Sequence, residues 1–405
     1  MKPRRTTLLL AAVSLLSSLA FAGAEPKPLP PMTPEKWKAD VDYVARELPK
    51  RHKNAFHTTT KEKFAAAIAA LRAQADTASD DAMLVGLMQL TAMVGDGHTR
   101  VSPPTSIHQL PIGVALVEGS LRVVRGAEPG VAKLVGGRLT KIDNMPVEDA
   151  VAKIRTILPQ AESDVLVEAS TPQWLSIPEV LHGLGIAKSA SKIKFSAVQA
   201  DGTEWCVDMG PVETTAKLDW KLAAASPPPY RQRPGEGLWY TWLEDKKTVY
   251  VSWRNYEGLG GKAKEMWEFV DAHPVEKIAI DMRLNGGGDF FVGKKHMVDE
   301  LLKRPKLRPF VIVGNRTFSA ALKNAIDFRN AKVMLVGETI GERPNSYSEN
   351  DEMTLPNSRL VMSYSTKYYQ FLPEDGLVQP DKEIQPTWAD WEAGRDPVLE
   401  WILQQ

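Results

Sequence analysis

The chain has 405 residues, and its 50 lysines and arginines are balanced by 50 aspartates and glutamates. This balance gives no reason to expect nucleic acid or an anionic surface as a partner. The only cysteine, Cys206, excludes an intramolecular disulfide and a cysteine-rich metal site. The length favours two or three domains, which can bury their cores without disulfides.

The first residues have the layout of a secretory signal peptide. Three basic side chains among the first five residues precede an apolar run from Leu8 to about Ala20, and small residues follow. This run is shorter than the roughly 20 apolar residues that a membrane-spanning helix needs. We therefore expect residues 1–24 to be removed from an exported protein, periplasmic or extracellular, with no stable membrane insertion. An uncleaved anchor is the alternative. Cleavage would leave 47 basic against 50 acidic side chains.

Residues 25–106 form a predicted helical region after a proline-rich start. Thr33 followed by a proline is a typical helix start. Thr59 and Glu62 form a predicted capping box, and a third helix is expected to begin near Ser79. Apolar residues follow each start at helical spacing, so packing in a core is their expected role.

Residues 107–225 change to a mixed pattern. LPIGVALVEG and SLRVVRG are predicted strands, and GGRLTKIDNMPVEDAVAKI predicts a strand, a turn and a helix. KFSAVQADGTEWCVDM predicts a hairpin around Asp201 and Gly202. The segment SPPPYRQRPGEG at 226–237 is predicted to be a linker.

In residues 238–405, strands rich in valine and isoleucine alternate with helices. The predicted strands are KTVYVSW, EKIAIDMR, PFVIVG and KVMLVGE. This alternation predicts an α/β fold of βαβ units with a largely parallel sheet. Functional residues are then expected at the carboxyl ends of the strands. MTLPNSRLVMSYS predicts a hairpin added beyond these units.

The stretch GNRTFSAALKNA places Ser319 between the strand PFVIVG and a helix. A serine at a helix start is ordinarily an N-cap, which contributes about 1 kcal/mol. The alternative is an exposed nucleophile, for which the N–H of Ala320 would point at a developing oxyanion. The stretch itself is consistent with both.

A second stretch, DMRLNGGGDFF, ends a predicted buried strand with three consecutive glycines. A tight turn needs only one or two, and each glycine costs backbone entropy. Three therefore indicate a close backbone approach, or bare N–H groups that face a ligand. The spacing fits neither of the two common phosphate-binding glycine motifs.

A third stretch, VGDGHTRV, places His98 in a glycine-rich turn. His52, His57 and His273 lie in polar segments typical of a surface. A lone histidine is usually structural or merely exposed, and the alternative for His98 is a base that pairs with Ser319. A serine–histidine pair must lie within hydrogen-bond reach, and sequence does not decide this across the 221 residues between them.

These stretches together resemble motifs of the carboxyl-terminal processing (tail-specific) serine peptidases and the related tricorn-type proteases. DMRLNGGG is similar to D-L-R-x-N-x-G-G, TFSAA to the nucleophile turn, LVGETIGERPN to G-E-x-T-x-G, VGDGHT to D-G-H-T, and LPEDGLVQPDKEIQP to the closing segment. The order and spacing match from about residue 85 to the end of the chain. The resemblance implies a crotonase/protease-like βαβ catalytic domain at 238–405, after an N-terminal helical region and a PDZ-like mixed domain.

The resemblance also implies roles for individual residues. Ser319 takes the place of the nucleophile, and the oxyanion hole is formed by Gly287 or Gly288 together with Ala320. GGRLTKIDNMPVEDAV resembles the segment that closes a PDZ-like domain. Such a domain either binds an extended peptide at a sheet edge or serves as a structural spacer.

Two branches of the family differ in the base. The processing peptidases use a lysine, whose place here is taken by Glu342, and Lys323 lies one helical turn beyond Ser319 instead. The tricorn branch uses a histidine and a glutamate, which His98 and Glu374 match. In this branch a serine precedes the histidine, and Gly97 replaces it here.

The favoured hypothesis is an exported serine endopeptidase that acts on peptide or protein substrates, with no metal or organic cofactor. The main alternative is a catalytically inactive protein on the same scaffold that binds peptides or apolar ligands. A third hypothesis is a hydrolase of non-peptide esters or amides, because the same site could perform either chemistry. The sequence leaves the oligomeric state undetermined.

Overall fold

The computed structural model describes residues 28–224 and 226–405. The signal peptide expected over residues 1–24 lies outside the described residues. Within the described ranges, no helix is both long enough and apolar enough to cross a bilayer. The described chain is a mixed α/β protein that begins with helices.

Three helices come first: α1 (Pro34–Arg51), α2 (Lys61–Gln74) and α3 (Asp80–Val94). Thr33 and Ser79 cap α1 and α3, as the sequence predicts. The cap of α2 is Thr60, whose hydroxyl accepts from the Lys63 N–H, whereas the predicted Thr59 is buried. The prediction was wrong by one residue because adjacent threonines, all good N-cap residues, precede this helix.

Short strands and three short helices follow. They are β1 (Arg100–Ser102), β2 (His108–Gln109), β3 (Ile112–Val117), β4 (Ser120–Gly126), β5 (Arg138–Ile142), β6 (Met145–Pro146), α4 (Val147–Arg155), α5 (Asp164–Ser170), α6 (Pro178–Gly183), β7 (Ile193–Val198), β8 (Glu204–Met209), β9 (Val212–Glu213) and β10 (Lys221–Leu222). The main antiparallel sheet has the order β10-β4-β5-β7-β8, with β3 beside β4 and β6 beside β5. The predicted strands and the β7–β8 hairpin are confirmed, while α5 and α6 were not predicted.

The N-terminal helices and this sheet share one hydrophobic core. Leu48 of α1, Leu87 of α3, Leu139 of β5 and Phe195 of β7 belong to the same cluster of buried side chains. Helix α6 packs so closely on α3 that a Cβ on Gly183 would lie 2.3 Å from a main-chain oxygen of α3. The two regions therefore pack against each other directly.

The predicted linker at 226–237 is packed against the rest of the protein. Tyr230 is buried, and Arg254 donates hydrogen bonds of 2.7 Å to the carbonyl oxygens of both Tyr230 and Gln232. The guanidinium of Arg283 lies 4.1 Å from the centre of the Tyr230 ring. The segment is therefore packed, because its prolines and glycines fold it around one aromatic and two cationic side chains.

The remaining residues form a six-stranded sheet, its helices and a long hairpin. The elements are β11 (Leu238–Leu243), β12 (Thr248–Trp253), α7 (Leu259–Ala272), β13 (Lys277–Asp281), α8 (Phe290–Gly293), α9 (Asp299–Leu302), β14 (Arg308–Val313), α10 (Ala320–Asn330), β15 (Met334–Gly337), β16 (Asn345–Thr354), β17 (Val361–Gln370), β18 (Lys382–Glu383), α11 (Trp388–Ala393) and α12 (Pro397–Gln404). The strand order is β11-β12-β13-β14-β15-β18, and only the β11–β12 pair is antiparallel. The predicted βαβ pattern is confirmed, and the helix predicted after β13 is divided into α8, a π-helical turn and α9.

Both faces of this sheet are buried. Val249 and Val311 pack in a cluster with side chains of α7 and α10, while Tyr250 and Ile312 pack on the other face with α12. Successive side chains of a strand point to opposite faces. Strands covered on both faces therefore have nearly continuous apolar sequences, which is why they could be predicted.

The hairpin of β16 and β17 connects the N-terminal part of the chain to this sheet. Strand β1 pairs antiparallel with β17, with Arg100 opposite Ser363. The hydroxyl of Ser363 also donates a 2.7 Å hydrogen bond to the carbonyl oxygen of His98. Because β1 begins two residues after His98, this pairing fixes the histidine-bearing turn beside the hairpin.

Candidate active site

Ser319 lies in a backbone conformation that a capping serine does not use. It joins the turn after β14 to the first residue of α10, with φ 58° and ψ −124°, and its side chain makes no capping hydrogen bond. N-cap residues are normally extended and accept from the following turn. A non-glycine residue with positive φ is strained and is held by its surroundings. The geometry therefore excludes the simple capping role.

Hydrogen bonds hold the turn before Ser319 in place. The buried hydroxyl of Thr317 donates to the Met282 carbonyl oxygen at 2.9 Å and accepts from the Gly314 N–H at 3.1 Å. The Phe318 N–H donates to the Asn285 carbonyl oxygen at 3.0 Å. The turn is thereby fastened to the segment that follows β13, so the carboxyl ends of two neighbouring strands form one side of the site.

The structure brings His98 to Ser319. Nε2 of His98 lies 3.0 Å from Oγ of Ser319, although 221 residues separate them in the chain. The imidazole stacks on the ring of Phe318, with 4.7 Å between the ring centres. A second hydroxyl, that of Ser348 on β16, lies 3.2 Å from the same nitrogen. The histidine is therefore within hydrogen-bond reach of the serine and held by an aromatic face.

Asp96 orders the turn that carries His98. Its Oδ1 accepts from the N–H groups of His98 and Thr99 at 3.1 and 2.9 Å and from the Ser365 hydroxyl at 2.6 Å. Burial alone would raise the pKa of Asp96, but two further histidines, His52 through a hydrogen bond and His57 nearby, and the hydrogen bond from Ser365 outweigh it and lower the pKa. Asp96 is therefore ionised at neutral pH and acts on His98 through the backbone.

Those two histidines correct an expectation from the sequence. His52 is buried and its Nε2 lies 2.9 Å from Oδ2 of Asp96, while Nε2 of His57 lies 3.8 Å from the same oxygen. The side chain of His52 is fully buried, and that of His57 is 15% exposed. Polar neighbours in sequence suggested exposure, but the buried carboxylate of Asp96 recruits both rings as partners.

The imidazole of His98 is kept neutral. Burial lowers its pKa to about 4; the charge of Asp96 opposes the shift and that of Arg100 adds to it. Nδ1 makes no hydrogen bond of good geometry within the described chain. Oε1 of Glu342 lies 3.9 Å from Nδ1. The main chain of Tyr347 raises the pKa of His98 slightly. A neutral ring leaves Nε2 able to accept a proton.

Two buried carboxyl groups lie behind the serine and the histidine. Oε2 of Glu342 accepts a very short hydrogen bond from the Ser319 N–H. Glu162 accepts from the N–H groups of Gly97 and Arg343, both at 3.1 Å. Burial raises the pKa of Glu162 to about 7, and burial with the charge of Glu162 raises the pKa of Glu342 well above its usual value. The pair therefore retains a proton close to neutral pH.

The glycine loop lies against Ser319. A Cβ on Gly287 would lie 2.6 Å from Cβ of Ser319, and one on Gly288 would lie 2.6 Å from the ring of Tyr256. The Gly287 N–H donates to Oδ1 of Asn285 at 2.9 Å. The N–H groups of Gly288 and Ala320 donate to no protein acceptor in the described part of the chain. The loop thus needs glycines, and two of the three predicted oxyanion-hole N–H groups are free.

The structure does not bring Glu374 to His98. Glu374 is exposed, and its recorded hydrogen bond within the described ranges is accepted by its main-chain oxygen from the Asn345 side chain, at 3.2 Å. The carboxylate beside the imidazole is Glu342, which the sequence pointed out only as the residue in the place of a lysine. Lys323 forms an ion pair with Asp327 along α10.

Gly97 is explained by the packing of the site. A Cβ at this position would lie 2.9 Å from a ring carbon of Phe318, the ring on which His98 stacks. A serine before the histidine would have to displace this ring. The second hydroxyl near the imidazole is supplied by Ser348 of the hairpin, which the sequence analysis missed because β16 begins well before the predicted hairpin.

Two cavities meet at Ser319. The first, which we call the apolar cleft, has a volume of about 390 Å³ and is also lined by His98, Phe318, Trp174 and Arg316. The second has a volume of about 350 Å³. Its lining includes Ala320, Ser348, Phe290, Phe291 and Tyr369. A peptide chain that crosses Ser319 would have room on both sides.

No cluster of potential metal ligands occurs among the described residues.

The sequence matches no protein-family model and no curated protein. Among solved structures, mature CPAF has a TM-score of 0.60 at 11% identity, covering 92% of this chain and 97% of that chain. The complex of mature CPAF with lactacystin has a TM-score of 0.61 at 11% identity, covering 92% and 98%. A putative S41 protease from Bacteroides fragilis NCTC 9343 covers 94% and 98%, with a TM-score of 0.37 at 11% identity. The chain therefore has the fold of CPAF over most of its length, and the structural resemblance predicted from the five motifs is confirmed at the level of the fold.

Proposed function

We propose that this protein is an exported serine peptidase in which Ser319 attacks a peptide carbonyl and His98 accepts the serine proton. The observation that carries the proposal is the 3.0 Å separation of Nε2 of His98 and Oγ of Ser319. General-base assistance at this distance contributes about 10²–10⁴-fold to the rate. The neutral imidazole can take the proton and then return it to the leaving amine. A water molecule, deprotonated by His98 in the same way, then attacks the acyl-enzyme and releases the second product.

The tetrahedral oxyanion would accept from the N–H groups of Gly288 and Ala320. Both lie beside Ser319, both lack a protein acceptor within the described residues, and Ala320 begins α10, where the helix dipole favours negative charge. Removing one such donor costs roughly 3–4 kcal/mol in the transition state. The Gly287 N–H is engaged by Asn285, so we assign it to the shape of the loop.

Glu342 is assigned the orienting role that the resemblance gave to Glu374. Its carboxylate contacts the Ser319 N–H and lies 3.9 Å from Nδ1 of His98. When ionised, it stabilises the imidazolium that forms as Ser319 loses its proton. Ser348 supports the ring from the side of Nε2. These residues position the pair, whereas Ser319 and His98 carry out the chemistry.

Labelling with a fluorophosphonate probe tests the proposal directly. The intact protein should be labelled at one serine, and Ser319→Ala should abolish the labelling. His98→Gln should slow it by about 10²–10⁴-fold, the contribution of a general base. Ser191→Ala is the matched control: it removes an exposed hydroxyl just before β7, outside both cavities, and should leave Ser319 reactive. If the intact protein were labelled no faster than free serine, the assignment of His98 as general base would be contradicted.

One observation favours the alternative of an inactive binding protein. Nδ1 of His98 has no hydrogen bond of good geometry, so the described contacts do not fix the tautomer. If the protein is inactive, Ser319 should react with the probe no faster than background, while peptides should still bind.

The hydrolase of non-peptide esters is the other alternative. Digestion of casein compared with hydrolysis of a p-nitrophenyl ester separates a peptidase from such a hydrolase.

A further inference from the structure

Two arginines line the apolar cleft next to the proposed catalytic pair. Arg100 follows His98 by two residues, and Arg316 precedes Ser319 by three. Since the chain spans at most about 3.6 Å per residue, both backbones lie within about 11 Å of the residue that performs the chemistry. Both residues thus belong to the wall of the cleft that contains Ser319.

Neither arginine has a carboxylate partner among the described residues. Arg316 donates a 3.4 Å hydrogen bond to the Gln173 side chain, and Arg100 forms no ion pair. Arg100 is exposed at the start of β1, where the charge of Glu352 acts on it from outside ion-pair distance, and Arg316 is half-buried. Both groups remain charged, because arginine does not deprotonate in proteins.

A buried arginine elsewhere in the protein shows what a structural role requires. Arg283 is paired with Asp281 and, through two hydrogen bonds of 2.8 and 3.2 Å, with Asp396. Desolvated charges are normally compensated in this way. The lining of the apolar cleft contains no aspartate or glutamate among the described residues, so the more accessible Arg100 and Arg316 stay available there to bind an anion.

Most of the other residues that line the cleft are apolar, although Thr91, Ser170 and Asn350 are polar. Its wall includes Leu158, Leu166, Trp174 and Leu284, and the Trp174 indole N–H is buried without a hydrogen-bond partner in the described chain. A guanidinium binds a carboxylate through paired hydrogen bonds, which are strongest where water is excluded. The ligand that fits is therefore an apolar segment that carries a carboxylate.

We infer that the apolar cleft is a specificity site in which Arg100 and Arg316 bind a carboxylate of the substrate near the scissile bond. The inference rests on the proposed function for the location of that bond. The carboxylate has two sources in a peptide, an acidic side chain and the free C-terminus. Two cations in one cleft favour substrates that carry this charge over neutral peptides of the same shape.

Binding to the Ser319→Ala variant tests the inference without requiring catalysis. The probes are three fluorescein-labelled hexapeptides: Ala-Leu-Ala-Glu-Leu-Ala amide, its glutamine counterpart as amide, and that counterpart with a free C-terminus. Affinities are measured by fluorescence anisotropy. We expect at least one carboxylate-bearing peptide to bind about tenfold to hundredfold more tightly than the neutral amide, since hydrogen bonds to charged groups are worth this much. The better of the two identifies the source of the carboxylate.

Adding Arg100→Gln or Arg316→Gln to Ser319→Ala should remove most of this preference and leave the neutral amide within about twofold. Arg138→Gln is the matched control, because Arg138 is exposed on β5 away from the cleft. Equal affinity for all three peptides, no binding up to 1 mM, or the same loss for charged and neutral peptides would overturn the inference. Selective binding by Ser319→Ala without cleavage by the intact enzyme would instead refute the proposed peptidase function and leave the carboxylate site standing.

Discussion

Replacing Glu342 by glutamine removes the carboxyl group behind the proposed catalytic pair while keeping the size of the side chain. The amide oxygen can still accept from the Ser319 N–H, so the turn should hold. The amide NH₂ would then face Nδ1 of His98. If it donates there, it favours the tautomer that carries its proton on Nε2, the wrong one for a base. The substitution therefore has an electrostatic effect and a tautomeric effect.

The electrostatic part depends on pH. A full charge on Glu342 at 3.9 Å from Nδ1 stabilises an imidazolium by about 4 kcal/mol at an effective dielectric constant near 20, or about 10³-fold in rate. This charge exists only when the carboxyl pair has lost its proton. Burial raises the pKa of both carboxyls, that of Glu162 to about 7. The advantage of the natural enzyme over Glu342→Gln should therefore increase as pH rises through neutrality.

The assay is kcat/KM for a quenched-fluorescence peptide between pH 5.5 and 9, for the natural enzyme and Glu342→Gln in parallel. We expect the ratio of the two values to grow by about 10-fold or more across this range, towards the 10³ limit. The tautomeric loss should appear as a constant factor at all pH values. Glu374→Gln is the control, because this exposed side chain should leave the profile unchanged. A ratio independent of pH would show that the charge of Glu342 does not act on His98.

Three further substitutions test the packing that supports the site. Gly97→Ser would place a Cβ 2.9 Å from the Phe318 ring and should lower kcat/KM by about 10²-fold through displacement of the imidazole, with little loss of thermal stability. Gly287→Ala would push against the nucleophile and should cost at least about 10²-fold, whereas Gly376→Ala meets no atom within 4 Å and should be neutral. Asp396→Ala leaves a buried guanidinium with one carboxylate in place of two, and urea denaturation should show a loss of about 3–5 kcal/mol. A loss below 1 kcal/mol would mean that the Arg283–Asp396 ion pair does not stabilise the fold.

The sequence predicted the parts of the fold that depend on local patterns. The strands β12 to β15 are buried on both faces, so each appears as a short apolar run between helices with an apolar stripe. The packing of residues 226–237 could not be predicted, because it does not depend on a local pattern. The contacts of this segment come from Arg254 and Arg283, distant cations that bind its carbonyl oxygens and its aromatic ring. No local pattern in a proline-rich segment reports such partners.

The sequence predicted the site residues whose position demands one residue type. It could not predict a role that depends on which of two residues lies near His98 in the folded chain. The positions beside Ser319 require glycine because a Cβ there would lie 2.6 Å from a neighbouring atom. The run of glycines is therefore visible in the sequence. Which carboxylate orients His98 depends on how the segment after β15 folds back towards Ser319. Glu374 and Glu342 both follow the nucleophile in the chain, and only the tertiary fold separates an exposed one from a buried one.

The charge at position 342 explains why the proposed base comes from the N-terminal part of the chain. In the processing branch that the sequence resembles, a lysine at this place is the base. A carboxyl group there cannot activate the serine at neutral pH in the same way, because burial holds its pKa high and its oxygen is already bound to the Ser319 N–H. A proton acceptor must then approach from another side. The pairing of β1 with β17 brings His98 there, and Asp96 and Phe318 hold it in place. Glu342 thus accounts for the absence of the lysine base, and the pairing of β1 with β17 accounts for the position of the histidine that takes its place.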